Sequence, residues 1–372
     1  MSLTKDTLFY SLAKWGQRLS TLLIAPFVIT YFTPQQYGYM SLINTLASFC
    51  SILGMLAIVD QGLPRFFIDS KDDHAKQSYA TTSFLISGIG VLIITIVILI
   101  FTPFIPFFFK EIETPLVFTL LTALICLAHS MRHIGGNMLK WTFKASIFTK
   151  ITLVQATAGV GLTLYGIIIW GWRAKAVLVT TSLITLFCSI WALLYCKQYL
   201  KPSAFSKSKL KELIVFSWPL LGLNIFAFFT RSLDRIFLAG LTSLGTVGIF
   251  AVSSAIASVF ETMVSGFFFA WGPFVLSTFR ESGSPQRYAH SFGTITCLGL
   301  INIVILGLWG GPVVMLLRPE GVYQGIGIYI PWIISGTLLY YLGGYFTPGP
   351  IIKKKHTGNL SHLLSPQSSM PF

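Results

Sequence analysis

The sequence predicts an all-α polytopic membrane protein, and three observations carry that prediction. First, 54% of the 372 residues are hydrophobic and only 10% are charged, against about 25% charged in a soluble domain. Mean hydropathy is +0.74, and a chain of this make-up cannot cover itself with polar surface. Second, apolar stretches of roughly 20 residues, the length that crosses a bilayer as a helix, recur about ten times. Third, the basic residues between those stretches are unevenly shared. Of the 26 Lys and Arg, 18 fall in loops on one side, four on the other and four inside spans. By the positive-inside rule the rich side, which includes the N-terminus, is cytoplasmic. The same rule explains the net charge of +14, so nucleic acid is not an expected partner.

Taken in order, the spans fall at about 8–31, 39–60, 81–102, 114–131, 147–170, 174–196, 213–241, 247–272, 291–316 and 326–348. The seventh is long and holds Pro219, which predicts a tilted or kinked helix. The Lys- and Ser-rich linker from Lys197 to Lys211 separates six spans from four. The expected division is therefore a first six-helix lobe at 1–200, a partial second lobe of four helices at 201–352, and a polar, disordered tail at 353–372. A weak repeat at an offset of 210 supports two parallel lobes. It pairs Gly38 with Gly248, Ala47 with Ala257, Ser48 with Ser258 and Gly62 with Gly272. In each half a Gly-Pro-type exit, Gly62 to Pro64 and Gly272-Pro273, is expected to end the second helix of the pair.

Cations inside apolar stretches are the main functional signal. Lys14 and Arg18 share one helical face, as do Arg231 and Arg235, because residues four apart are neighbours on a helix. A charge at the bilayer centre costs at least about 2.5–3.5 kcal/mol, so such groups face a bundle interior or a wet cavity. Snorkelling to the interface competes as an explanation for Lys14 and reaches Arg18 poorly. Asp234 is placed to pair with Arg231, and Glu261 sits alone in mid-span. Both are expected to form ion pairs, or to couple transport to a proton or sodium ion. Asp60, followed by Gly62 and Pro64, ends its span at the cytoplasmic surface as a gate or helix-end residue.

Other patterns read as packing. Cys126, His129 and His133 share a face, but no fourth ligand accompanies them. The five cysteines lie in or beside apolar stretches and read as small buried groups. No cofactor, metal centre or catalytic constellation is expected, and no cleavable signal peptide. The loops are too short to house a catalytic domain.

Several short motifs in order resemble the bacterial polysaccharide-repeat-unit flippases, a branch of the superfamily that includes the multidrug-and-toxin extruders (MATE). They are Ser11 to Arg18 leading into Pro26, Phe32-Thr33-Pro34-Gln35-Gln36-Tyr37-Gly38 and Asp60-Gln61-Gly62-Leu63-Pro64-Arg65-Phe66. Leu233-Asp234-Arg235-Ile236-Phe237-Leu238 and Val247-Gly248-Ile249-Phe250 follow in the second half. The resemblance covers roughly residues 5–355. It implies a two-lobe, MATE-like bundle in the bacterial inner membrane. It also implies translocation of undecaprenyl-pyrophosphate-linked oligosaccharide for O-antigen, capsule or exopolysaccharide synthesis, by alternating access through a cationic cavity. Lys14, Arg18, Arg231 and Arg235 match that cavity in chemistry, since arginine offers paired hydrogen bonds to phosphate oxygens. Membrane lipids, a polysaccharide polymerase and a chain-length regulator are the implied partners. The resemblance implies at least two further helices in the second lobe after Lys355, where this chain turns polar, so an incomplete second lobe and an inactive, truncated product are one alternative. A multidrug or cation antiporter of the same superfamily is another, disfavoured by the basic rather than acidic intramembrane excess.

Overall fold

The computed structural model describes residues 3–171, 174–278, 281 and 283–346. The tail expected at 353–372 lies outside the described residues. Every regular element described is helical. The chain divides into two compact units, Met1–Gly248 and Ile249–Phe372.

The first unit begins with α1 (Leu3–Tyr31) and α2 (Pro34–Met55). A π turn (Ile58–Gly62) then leads into the short α3 (Leu63–Asp69). Next come α4 (Asp73–Ile100), the single turn α5 (Ile105–Phe108), α6 (Pro115–Trp141), α7 (Ala145–Ile168) and α8 (Ala174–Tyr195). The unit closes with α9 (Lys207–Leu241) and the first turn of α10 (Leu244–Thr278). Helix α6 lies against α8, α8 against α7, and α7 against α1, while α2 packs on α6, α4 and α9. Nine of the described helices are long and apolar enough to cross a membrane, and they match nine of the ten expected spans. The tenth, α1, has 29 residues but is too polar to be counted among them. The chain is thus an all-α, multi-pass membrane protein.

Local chemistry explains where the helices start. Thr33 caps α2 in a capping box with Gln36, and Pro34 fills the first helical turn. At the offset of 210, Ser243 caps α10 by accepting from the Thr246 backbone N–H at 3.1 Å. The two helix starts then meet reciprocally. A Cβ placed on Gly38 would lie 1.8 Å from the Leu244 carbonyl oxygen, and one on Gly248 would lie 1.8 Å from the Pro34 carbonyl oxygen. Residues 34 and 38 therefore contact 244 and 248 as a local two-fold pair, with backbone against backbone. Small residues at such crossings let helices associate where lipid removes the hydrophobic driving force.

The expected ends of the paired helices differ. The first helix breaks at Met55, five residues before Asp60, through Leu56 and Ala57 at φ 52° and 56°. Two successive left-handed non-glycine residues are costly and persist only where the surroundings hold them. In the second half α10 continues through Gly272 and Pro273 to Thr278, so no exit occurs there. A proline is tolerated in a spanning helix when neighbouring groups re-satisfy the freed carbonyl; α9 likewise continues through Pro219.

The Lys- and Ser-rich linker is fastened to α4. Thr81 donates to the Tyr199 carbonyl at 3.1 Å and accepts from the Lys201 N–H at 3.0 Å. Thr82 accepts from the Ser206 N–H at 3.2 Å. One turn earlier on α4, the Tyr79 hydroxyl donates to Glu212, and Lys209 donates to that hydroxyl at 2.8 Å. These bonds hold α9 in the first unit although the linker precedes it. The lobe division at residue 200 concerns the repeat of helices and the compact units concern packing, so the lobes remain a proposal.

The second unit contains the rest of α10, α11 (Ser284–Leu317) and α12 (Ile326–Gly344). Ser253 on α10 donates to the Ile326 carbonyl at 3.2 Å, and α11 lies along α12. An aromatic group joins Trp271 to Tyr345, with ring centroids 4.4 Å apart.

Candidate functional site

Helix α1 has three distinct faces. Leu12, Trp15, Leu19 and Leu23 are exposed along one stripe, the lipid-facing side. Ala13 is buried, and Gly16 lies under the Leu153 side chain of α7. Lys14 and Arg18 occupy the third face. At about 100° per residue they lie roughly 200–240° round from Leu12, on the far side from the lipid stripe. Lys14 is exposed and Arg18 half-buried.

On α9 the split is similar. Arg235 falls in line with the buried Ser217, Leu221 and Phe228, on the face that packs against α2. Its charge reaches Tyr37 on α2, and its Nε is buried without a hydrogen-bond partner. A buried donor left unmade costs about 1–3 kcal/mol, a debt that an anionic acceptor would cancel. Arg231 is exposed one turn earlier. Asp234 is exposed, and its Oδ1 accepts from the Arg235 backbone N–H at 2.8 Å. Glu261 is half-buried in the second unit.

Helices α1 and α9 each end three residues before the first residue of the crossing pair, at Tyr31 and Leu241. Counting back from those ends at about 1.5 Å per residue puts Arg235, Arg231, Arg18 and Lys14 at depths of roughly 9, 15, 20 and 26 Å. On each helix the two cations are one turn apart, about 6 Å along the axis.

Asp60 stands on the π turn, beyond the end of the spanning helix. It accepts from Asn137 Nδ2 at 2.6 Å, and its Oδ1 lies 3.3 Å from His133 Nδ1. Burial pushes its carboxyl up, but the hydrogen bonds from His133 and Asn137 and the charges of His133 and Lys140 outweigh that and hold it below its usual range. Gly62 lets α9 approach this turn, since a Cβ there would lie 2.5 Å from Ser217 Oγ. His129 meets Ser48 at 3.3 Å, so α6 carries a polar stripe facing α2 and the π turn. Among the described residues no group of three His, Cys, Asp or Glu side chains is placed to hold a metal ion.

A cavity of about 170 Å³ opens beside this stripe, between α1, α6, α7 and α8. Arg132, Asn137 and Lys140 line it from α6, Gln155 from α7, Ser189 from α8, and Gln17 from α1. Sequence reasoning missed it, because it ended the fourth span at residue 131 and counted Arg132 and Lys140 as loop charges. The helix runs ten residues further, to Trp141, and carries both cations along the cavity wall.

A model of the polysaccharide biosynthesis protein family matches residues 31–275, about two thirds of the chain. The chain belongs to that family. Among solved structures, an inward-facing multidrug resistance MATE family transporter of the MOP superfamily aligns at TM-score 0.63 and 13% identity, over 88% of this chain and 82% of that one. A Vibrio cholerae MATE transporter aligns at TM-score 0.59 and 15% identity, over 93% and 87%. An outward-facing MATE family transporter aligns at TM-score 0.53 and 15% identity, over 92% and 83%. These similarities establish a MATE-like fold. No curated protein sequence matches the chain.

Proposed function

We propose that this polysaccharide biosynthesis protein moves undecaprenyl-pyrophosphate-linked oligosaccharide units across the bacterial inner membrane, supplying O-antigen, capsule or exopolysaccharide synthesis. The observation that supports this reading is the buried Nε of Arg235, without a hydrogen-bond partner on the face of α9 that packs against α2; with Arg231, and with Lys14 and Arg18 set off the apolar stripe of α1, it is read as a stepped series of cations. A diphosphate head needs positive charge at every depth it passes, since a bare anion in hydrocarbon is prohibitive. Steps about 5–6 Å apart let it pass from one guanidinium or ammonium to the next, while the prenyl tail stays in lipid. Arginine suits the role because its fork binds phosphate oxygens in pairs and keeps its charge. The N-terminus is cytoplasmic in this scheme, as the loop charges favour. Asp234 and Glu261 are the groups for ion pairing or coupling, and Asp60 is the gate residue at the cytoplasmic end. Alternating access of two lobes, and work alongside a polymerase and a chain-length regulator, complete the proposal.

The test is export in a strain lacking its own flippase, scored by surface polysaccharide at matched membrane abundance. Arg18→Gln is expected to cut export at least tenfold without lowering abundance. Unchanged export would remove Arg18 from the path and take the stepped series with it.

A further inference from the structure

We infer that the cavity between α1, α6, α7 and α8 receives a carboxylate-bearing sugar of the transported glycan, which makes it a selectivity pocket for acidic saccharides. This rests on the flippase reading and adds to it the class of sugar carried.

Charge comes first. Arg132 and Lys140 line the cavity, and among the described residues neither has an ion pair. The neighbouring carboxylate, Asp60, is not among the lining residues; it accepts from Asn137 and meets His133, and its charge reaches Lys140 without an ion pair, so Arg132 is the uncompensated cation. The space is therefore cationic, and it is roughly ten times the about 10–15 Å³ that one water needs. It suits an anionic group larger than a halide ion.

The other lining groups narrow the choice. A phosphodiester offers only acceptors, and inorganic phosphate few donors, so a pocket built for either would be lined mostly by donors. This one carries three carboxamides, Gln17, Asn137 and Gln155, each able to donate and accept. Gln155 gives one amide proton to Thr185 Oγ1 at 2.9 Å, which orients the group and leaves its carbonyl oxygen for a hydroxyl donor. Asn137 is likewise fixed by Asp60. Phe148, with Lys140 Nζ 5.4 Å from its ring centroid, supplies the apolar wall that a sugar's C–H face requires. Hydroxyls, a C–H face and one carboxylate together describe a uronic-acid type of sugar.

Gly136 keeps the space open. A Cβ there would meet only Phe148, at 3.6 Å, so an alanine fits and a longer side chain projects into the cavity. Gln17 sits between Lys14 and Arg18 on α1, so the pocket opens at the level of the deeper pair of cations. A diphosphate held by those two would bring the sugars attached to it to the mouth of the pocket.

The experiment uses the purified full chain in detergent with three probes: methyl glucuronide, methyl glucoside and inorganic phosphate. Binding is read by thermal shift and titration calorimetry. Methyl glucuronide is expected to bind, with the glucoside and phosphate at least about tenfold weaker, the size of one lost charge-assisted hydrogen bond. Arg132→Gln is expected to weaken the glucuronide by about tenfold or more, and Gly136→Leu to abolish its binding. Should Gly136→Leu fail to fold, Gly136→Ala as a binding-competent control and Arg132→Gln still decide the matter. Equal binding of the glucoside or of phosphate, or a glucuronide affinity indifferent to both variants, overturns the inference. Loss of export in Arg18→Gln alongside such a result would leave the flippase reading standing and remove only the acidic sugar.

Discussion

The glycine crossing yields the sharpest energetic test. In Gly38→Ala the new methyl would sit 1.8 Å from the Leu244 carbonyl oxygen, whereas ordinary contact begins at 3.4 Å. The difference, 3.4 minus 1.8, means α2 and α10 must part by about 1.6 Å at this point. No side chain can yield instead, because the obstacle is backbone. Overpacking costs typically about 1–3 kcal/mol, and a backbone clash belongs at the upper end, near 3 kcal/mol. Gly248→Ala meets the Pro34 carbonyl in the same way and should cost the same. The reciprocity adds a second expectation. Once one methyl has pushed the helices apart, the second occupies space already opened, so the double variant should cost far less than the sum. Melting temperatures of purified protein in detergent, followed by tryptophan fluorescence, should fall by on the order of 5–10 °C in each single variant. The double variant should fall little further. Single variants that melt like the parent, or a double variant showing the full sum, would refute the two-fold contact.

Two other perturbations probe the same framework. Thr33→Ala and Ser243→Ala each remove a helix cap and should each destabilise by about 0.5–2 kcal/mol, read as lowered melting temperature and restored by Thr33→Ser at the first site; no change in either would deny them the capping role. Asp60 gives a pH signature. Its carboxyl pKa is held below the ordinary value, so its stabilisation is fully present above the unfolded pKa of about 3.9 and fades as pH falls through the lower folded value. The melting gap between the parent and Asp60→Asn should therefore persist from pH 7 down to about 5 and close only in strong acid. A gap that closes above pH 5 would show that hydrogen bonding does not hold the carboxylate ionised.

Much of the fold was legible because membrane chemistry writes it in composition. Long apolar runs gave the order of helices, whereas the repeat at 210 aligned Gly38 with Gly248 without indicating that the two touch. What the sequence hid has physical causes. Leu56 and Ala57 adopt left-handed conformations without the glycine that would announce them, so the break at Met55 is imposed by packing rather than by local preference. Gly272-Pro273 looks like a stop, yet the chain stays helical there, because spanning helices tolerate residues that end soluble ones. Arg132 and Lys140 were indistinguishable from ordinary cytoplasmic loop cations, since only the further run of α6 turns them toward a cavity. Within the candidate site, the facing of Lys14 and Arg18 away from lipid could be anticipated from spacing. The unpartnered Nε of Arg235 could not.

The fastening of the 197–206 segment by Thr81 and Thr82 has a practical corollary. A stretch of lysine, serine and proline between two spanning helices invites a trypsin cut, an affinity tag or an inserted reporter. Here, however, the main-chain atoms of Tyr199, Lys201 and Ser206 are already spoken for by side chains of α4. Anything spliced between them would tug on a spanning helix instead of dangling in solvent. The stretch whose composition looks most permissive is thereby a poor place to cut or graft.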